Sequence, residues 1–263
     1  ALVSETIGSS LQRVMPEIAA VFITFGVMVL LIGLGGGLSV VVFLKSGVQR
    51  WPALEGVKND TSLSSDRHDF SCPAVIILLT APFYINDLSN IFLKDWRLWL
   101  FIDYTAVKLF PFLLVLWLIR SRKTRLRELG FSLQSPGLFL LVFIIGTLAG
   151  IFIDQNGQFI FGWIPGYRSL GRIPSIASPL WSRIDITFGL LMVGIVEEAV
   201  FRGAMAAFLS RCTRSPFLVV LISAVAFGFI HWSGGLNQVI VASVTGAVFM
   251  ILYLRTYSLP ALM

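Results

Sequence analysis

Long apolar runs separated by short polar segments make up most of this chain, and the pattern predicts helices that cross a membrane. Several runs approach or exceed the ~20 residues that a helix needs to span a hydrocarbon core. We predict seven spans, at about residues 18–44, 73–93, 98–119, 137–153, 184–209, 216–232 and 237–254. The second span is the least regular, because Asn86, Asp87 and Asn90 interrupt its second half. It either lines the bundle interior or stops short of the far face.

Composition supports this interpretation. The 263 residues are 56% hydrophobic and only 13% charged, more apolar than a soluble domain of this size requires. We therefore predict an all-α fold, a polytopic transmembrane helical bundle that forms one structural domain. Ser-Leu-Pro-Ala-Leu precedes Met263 and resembles the start of a further helix, with Pro260 in its first turn. We expect an eighth span to follow Met263.

Basic residues lie mainly in short loops between the apolar runs, as the positive-inside rule describes. Twelve of the 20 Lys and Arg residues fall on the side of the basic run 120–129 and six on the other side, while Lys108 and Arg202 lie within spans. We therefore place loops 120–129 and 210–216 in the cytoplasm. The net charge of +6 is explained by these loops, and we expect no nucleic-acid partner. Anionic lipid headgroups are an alternative ligand of the basic run.

The fifth predicted span contains three charged residues, Glu197, Glu198 and Arg202. Each costs roughly 2.5–3.5 kcal/mol at the centre of a membrane helix, so such residues normally face a bundle interior or cavity and serve a function. Glu198 and Arg202 are four residues apart with the acid first, the favourable order for an ion pair. Glu197 projects about 100° away and lacks that local partner, which leaves its carboxylate available as a general base.

A histidine is expected at the same depth on the next span. Glu197 precedes Ser210 by 13 residues, and His231 follows Pro216 by 15. At 1.5 Å per residue, both lie about 20 Å from the same face if the two helices form an antiparallel hairpin. A Glu and a His at one level can share a water, which is the minimum apparatus for hydrolysis. The alternatives are a capping or interfacial histidine and a structural ion pair, or an ion pathway.

These residues form two motifs that resemble a known family. The segment EEAVFRG, from Glu197 to Gly203, is similar to the EExxxR motif, and FGFIH, from Phe227 to His231, is similar to the FxxxH motif. Both belong to the CAAX-protease and bacteriocin-processing family, which includes CAAX prenyl endopeptidases of the glutamate type and bacterial Abi proteins. The resemblance covers about residues 183–263, with a fainter echo at Arg127–Gly130.

The resemblance implies a glutamate-dependent intramembrane endopeptidase. Glu197 and His231 would activate the attacking water, and Glu198 and Arg202 would support the site. The family's third motif, HxxxN, would lie beyond Met263. On this interpretation residues 1–136 supply N-terminal transmembrane helices and loops, and residues 137–263 form a C-terminally incomplete Abi-like or CAAX-protease-like catalytic core. The expected substrate is a lipid-modified or amphipathic peptide, and the expected location is a bacterial inner membrane.

No metal or cofactor is expected. The zinc motif HExxH is absent, and the two cysteines, Cys72 and Cys212, form no CxxC pair. Two other functions remain open. One is a non-proteolytic member of the same fold, acting as an immunity protein or as a membrane partner that regulates a sensor. The other is a transporter in which Glu197 and Glu198 relay protons, although the halves of the chain contain no convincing repeat.

Overall fold

The computed structural model describes residues 72–121, 124–131, 136–161, 169–171, 173–213 and 215–263, and the predicted first span lies outside these ranges. Within them the chain is an all-α bundle without strands, as predicted. Its long helices are α1 (Cys72–Phe92), α2 (Trp96–Arg120), α3 (Pro136–Phe161), α4 (179–212), α5 (Pro216–Phe229) and α6 (Leu236–Thr256). The 3₁₀ turns Trp232–Gly234 and Leu259–Ala261 follow α5 and α6.

Capping residues determine where three of these helices begin. Asp95, Ser178 and Ser215 precede α2, α4 and α5, and each side chain accepts a hydrogen bond from a backbone N–H of the first turn. An oxygen in this position satisfies one of the free N–H groups at a helix start. Pro179 and Pro216 occupy the first positions of α4 and α5, where the missing N–H costs nothing. These signals are local and can be read from the sequence.

Four of the described helices are long and apolar enough to cross a membrane, namely α1, α2, α3 and α6. They correspond to the second, third, fourth and seventh predicted spans. Helix α4 is longer than the predicted span 184–209. Helix α5 is shorter than predicted, because it ends at Phe229 rather than near Trp232. The residues that follow form the 3₁₀ turn, and Gly235 closes it at φ 98°, a backbone conformation that favours glycine.

Two of the helices contain π-helical segments, in which the backbone hydrogen bond runs over five residues instead of four. Helix α2 consists of Trp96–Ile102, the π segment Asp103–Leu109 and Phe110–Arg120. Helix α4 contains two such segments, and its parts are Pro179–Ile184, Asp185–Gly189 (π), Leu190–Glu197, Glu198–Ala204 (π) and Met205–Cys212. Such π-helical segments are rare overall, and those that occur are often found at functional sites.

The second half of α4 is the centre of the bundle. Every residue from Glu198 to Leu209 is buried, whereas Phe188, Leu190 and Leu191 in the first half are exposed. Glu198 and Arg202 therefore lie in the protein interior, as their cost in lipid requires. Helix α1 is unbroken from Cys72 to Phe92, and its Asp87 is buried. Of the two alternatives for the second span, lining the bundle interior is therefore correct.

The connections that the structure describes fall into two groups at opposite ends of the bundle. At one end, Arg211 after the core of α4 contacts Glu128 at 2.8 Å, and the Leu259 N–H donates to the Gly130 carbonyl at 3.0 Å. At the other end, Ser233 contacts Asp87 near the end of α1. Within the described residues, the predicted inner and outer loops are thus separated as the alternation of spans requires. Which end faces the cytoplasm stays a prediction.

Candidate active site

Arg202 lies at the centre of the site and joins three helices. Its Nη1 lies 3.1 Å from Oε1 of Glu198, so the predicted ion pair forms, with side chains only 1% and 8% exposed. The guanidinium lies over the ring of Phe227 on α5, at 4.3 Å, and that of Phe249 on α6, at 5.3 Å. Cation–π contacts are worth more in such a desolvated position than at a surface. Arg202 is therefore held by a carboxylate along its own helix and by aromatic faces on two others.

Glu198 and Arg202 could each form more hydrogen bonds than the structure shows. Apart from the ion pair, the guanidinium nitrogens of Arg202 have no hydrogen-bond partner among the described residues, and the same holds for Oε2 of Glu198. Arginine carries five N–H donors and a carboxylate can accept several bonds. Buried polar groups left unpaired are costly, so such groups in a protein interior call for an explanation such as a functional role.

Glu197 faces a different neighbour from Glu198. It is the last residue before the second π segment of α4 and is partly exposed, whereas Glu198 is buried. Its stretch of α4, Leu190–Glu197, packs against the π segment Asp103–Leu109 of α2. Glu197 lies within electrostatic range of Asp103 and Lys108 on that segment, and of Glu198 and Arg202 on its own helix. The adjacent glutamates thus have different environments, as the helical spacing predicts.

Asp103 and Lys108 lie within the third predicted span, where the sequence pattern assigns no role to either residue. Both are buried and form an ion pair, and the Lys108 ammonium also lies 4.2 Å from the ring centre of Tyr104. Residues five apart point about 140° away from each other on an α-helix. In the π segment they are stacked, because the hydrogen bonds span five residues. The five-residue spacing therefore did not predict this ion pair, because no sequence signal indicated that the α-helix changes to a π-helix here.

His231 follows the end of α5 and contacts Phe227. Its N–H donates to the Gly228 carbonyl at 3.1 Å, and its ring packs edge-to-face on Phe227, 5.3 Å between centroids. Although α5 ends before His231, the turn that follows the helix still places the His231 ring against Phe227. The ring centre of Phe201 on α4 lies 5.2 Å from that of Phe227. A continuous aromatic stack therefore links α4 to His231.

The aromatic stack also shows which residues of α4 and α5 lie at the same depth in the bundle. The Ser223 hydroxyl donates to the Phe201 carbonyl at 3.1 Å, so α4 and α5 pack as an antiparallel hairpin with these residues side by side. Glu197 lies one turn from Phe201, and His231 lies four residues beyond Phe227 toward the same end of the bundle. Arg202 lies within electrostatic range of both groups. A shared water between the Glu197 carboxylate and the His231 imidazole stays a prediction.

Helix α6 supports the hairpin through a close approach at Gly228. A Cβ at this position would lie 2.6 Å from the Val239 carbonyl oxygen and would overlap the Ser243 hydroxyl. Glycine is therefore required one turn before His231, where α5 and α6 come together. In the part of the chain that the structure describes, no three His, Cys, Asp or Glu side chains converge as a metal site would need.

Comparison with known proteins bears on the same part of the chain. Residues 179–263 match the family described as Type II CAAX prenyl endopeptidase Rce1-like. This segment belongs to the CAAX-protease and bacteriocin-processing family. A comparison with curated proteins gave no match, and a comparison with solved structures gave none either.

The family match divides the site into two parts. Glu197, Glu198, Arg202 and His231 all lie within the CAAX-protease-like segment. The pair Asp103–Lys108 lies outside it, on α2, and so does the whole of α1. The match of this segment implies a membrane protease. Helix α2, outside the matched segment, places Asp103 and Lys108 within electrostatic range of Glu197.

Proposed function

We propose that the protein is a glutamate-dependent intramembrane endopeptidase that cleaves a peptide bond near the C-terminus of a lipid-modified or amphipathic peptide. The observation that carries this proposal is the convergence of the two motifs. EExxxR on α4 and FxxxH at the end of α5 are joined through Arg202, Phe227 and the ring of His231. The family name of the matched segment supports a peptide bond as the target and a prenylated chain as the modification.

Glu197 is the proposed general base, and it acts on a water held between its carboxylate and His231. Glu197 takes a proton from the water, and the oxygen of the resulting hydroxide forms a bond to the scissile carbonyl carbon, whose π electrons move to oxygen. When the tetrahedral intermediate collapses, the C–N bond breaks and Glu197 returns the proton to the leaving nitrogen. Glu198 is the proposed counter-charge of Arg202, and Arg202 fixes the aromatic stack under His231.

Several features support access from the membrane. Glu197 is partly exposed, and the preceding half of α4 exposes large apolar side chains: Ile186, Phe188, Leu190 and Leu191. An apolar chain attached to a substrate can therefore lie along α4 while the peptide reaches the carboxylate. An integral position in a bacterial inner membrane agrees with the apolar helices and is part of this proposal.

The test is cleavage by the intact protein in nanodiscs of a peptide with a farnesylated cysteine, its fluorophore and quencher flanking the bond after that cysteine. We expect wild type to release the C-terminal fragment, with product masses that identify the bond. Glu197→Gln keeps the shape but removes the base, so the rate should fall by at least about 100-fold. Equal rates for both proteins would overturn the mechanism. An unchanged cellular phenotype in the inactive variant would instead support the non-proteolytic function, that of an immunity protein or a membrane partner that regulates a sensor.

A further inference from the structure

The turn that carries His231 is clamped by a buried polar network on α1. The Ser233 N–H donates to Oδ2 of Asp87 at 2.7 Å, and the Ser233 hydroxyl donates to Oδ1 at 2.9 Å. The Asn90 amide also donates to Oδ1 of Asp87, at 3.1 Å. Asp87 and Ser233 are each only 5% exposed. Both carboxylate oxygens therefore accept hydrogen bonds in the protein interior, where they are worth most.

Two further segments hold the same turn. The Ser233 carbonyl accepts from the Leu170 N–H at 2.9 Å and from the Ser169 hydroxyl at 3.1 Å. The Trp99 indole on α2 donates to Oδ1 of Asn90 at 2.7 Å, which orients that amide toward Asp87 and Ser233. Every backbone and side-chain polar group of Ser233 is thus bonded to a residue outside the CAAX-protease-like segment.

This clamp acts on His231 because the histidine lies beyond the helix. Helix α5 ends at Phe229, so the backbone of His231 is held by two turn bonds: its N–H donates to the Gly228 carbonyl, and its carbonyl accepts from the Gly234 N–H at 3.1 Å. Phe227 contacts one side of the imidazole, and Ser233 lies two residues further along. The backbone between Phe227 and Ser233 is pinned at both ends, so the turn that carries the imidazole has little freedom to move.

We propose that Asp87 is a positioning residue that holds His231, through Ser233, at the level of Glu197. The inference rests on the proposed function for its catalytic consequence, and its geometric part stands without it. It assigns to α1, outside the matched family segment, a role in the site. It also gives the polar interruption of the second predicted span a purpose that composition alone does not suggest.

The chemistry of the clamp requires a carboxylate. In Asp87→Asn, one of the two oxygens becomes an NH₂ group. If that group replaces Oδ2, it faces the Ser233 N–H, a donor that cannot turn away. If it replaces Oδ1, it faces the NH₂ of Asn90. At least one bond of the clamp is therefore lost in either orientation. Asp95→Asn is the matched control, because it removes one negative charge at the same end of the bundle, and Asn is as good a helix cap as Asp.

The first experiment observes His231 directly. The chain has two histidines, so His68→Gln leaves a single imidazole, which isotope labelling and NMR in detergent micelles can follow. We expect Asp87→Asn to shift or broaden the His231 ring signals, and Asp95→Asn to leave them at the wild-type positions. Unchanged ring signals in a folded Asp87→Asn protein would overturn the proposal, whatever the protein does to a peptide.

The second experiment measures the farnesylated peptide's cleavage by the same variants in the intact protein. A displacement of about 1 Å in a catalytic group can cost on the order of 100-fold. We expect Asp87→Asn to lower kcat by about that factor with KM little changed, and to alter the shape of the pH profile, which a smaller folded fraction would not do. Asp95→Asn should match wild type. A wild-type pH profile and kcat in Asp87→Asn would refute the positioning role, whereas no cleavage by wild type would refute only the proposed function.

Discussion

Replacing Glu198 by Gln removes the counter-charge of Arg202 and keeps the length of the side chain. Arg202 would then be a cation with only 1% of its side chain exposed and no carboxylate within contact distance. Breaking a buried ion pair by removing one partner typically costs about 3–5 kcal/mol, because an uncompensated charge stays in the interior. Gln retains one acceptor oxygen, and two aromatic faces still contact the guanidinium, so we expect about 3 kcal/mol, at the lower end.

Two further variants separate charge from packing. Glu197→Gln changes the adjacent, partly exposed glutamate, which makes no ion pair of this kind among the described contacts. Its free energy of unfolding should change by less than about 1 kcal/mol. The double variant Glu198→Gln with Arg202→Met removes both buried charges, and it should recover much of the lost stability because an apolar side chain replaces the cation.

The assay is thermal unfolding in detergent, followed by circular dichroism at matched protein concentration. For a domain of about 150–250 residues, 1 kcal/mol shifts Tm by about 2–4 °C, so the Glu198→Gln variant should melt on the order of 10 °C below wild type. Glu197→Gln should melt close to wild type. Equal Tm values for the two glutamine variants, or a double variant less stable than Glu198→Gln, would refute the assigned roles of the two acids.

Two other predictions concern the second charged pair and the orientation of the bundle. Lys108→Met leaves Asp103 buried without its partner and should destabilise the protein by about 3–5 kcal/mol, measured by the same melting curves. A melting temperature equal to wild type would show that this pair contributes nothing. For orientation, Cys212 is exposed at the end predicted to be cytoplasmic, and Lys94 is exposed at the other. In a protein with Cys72 replaced, Cys212 should not react with an impermeant thiol reagent on intact cells. In a second protein with Cys72 and Cys212 both replaced, Lys94→Cys should be labelled. The reverse pattern would show that the bundle has the opposite orientation.

Local spacing was sufficient to predict part of the site. The four-residue spacing of Glu198 and Arg202 predicted their ion pair, and the same spacing separates Phe227 from His231, whose rings are in contact. The first residues of several helices could also be predicted, because a capping side chain and the N–H groups that it satisfies are neighbours in sequence. These features depend on residues a few positions apart, which helical geometry places next to each other.

Other features depend on contacts that the sequence does not encode locally. Asp87 and Ser233 are separated by 146 positions, and only the packed fold brings them together. Asp103 and Lys108 pair because their helix widens into a π segment, and their spacing on an α-helix would have separated them. In each case packing determined the outcome rather than helical periodicity.

The central claim is that Glu197 and His231 meet over one water, and cross-linking tests it most directly. Two proteins are compared, each with Cys72 and Cys212 replaced. One carries His231→Cys with Glu197→Cys, and the other carries His231→Cys with Val193→Cys, one helical turn away. A water bridge joins groups about 5–6 Å apart, and a cysteine is shorter than Glu, so a bifunctional thiol reagent with a spacer of about 8 Å is appropriate. We expect efficient linking of 231 to 197 and little to 193. Stronger linking to 193, or none to 197 while a control pair at Phe201 and Phe227 links, would contradict it.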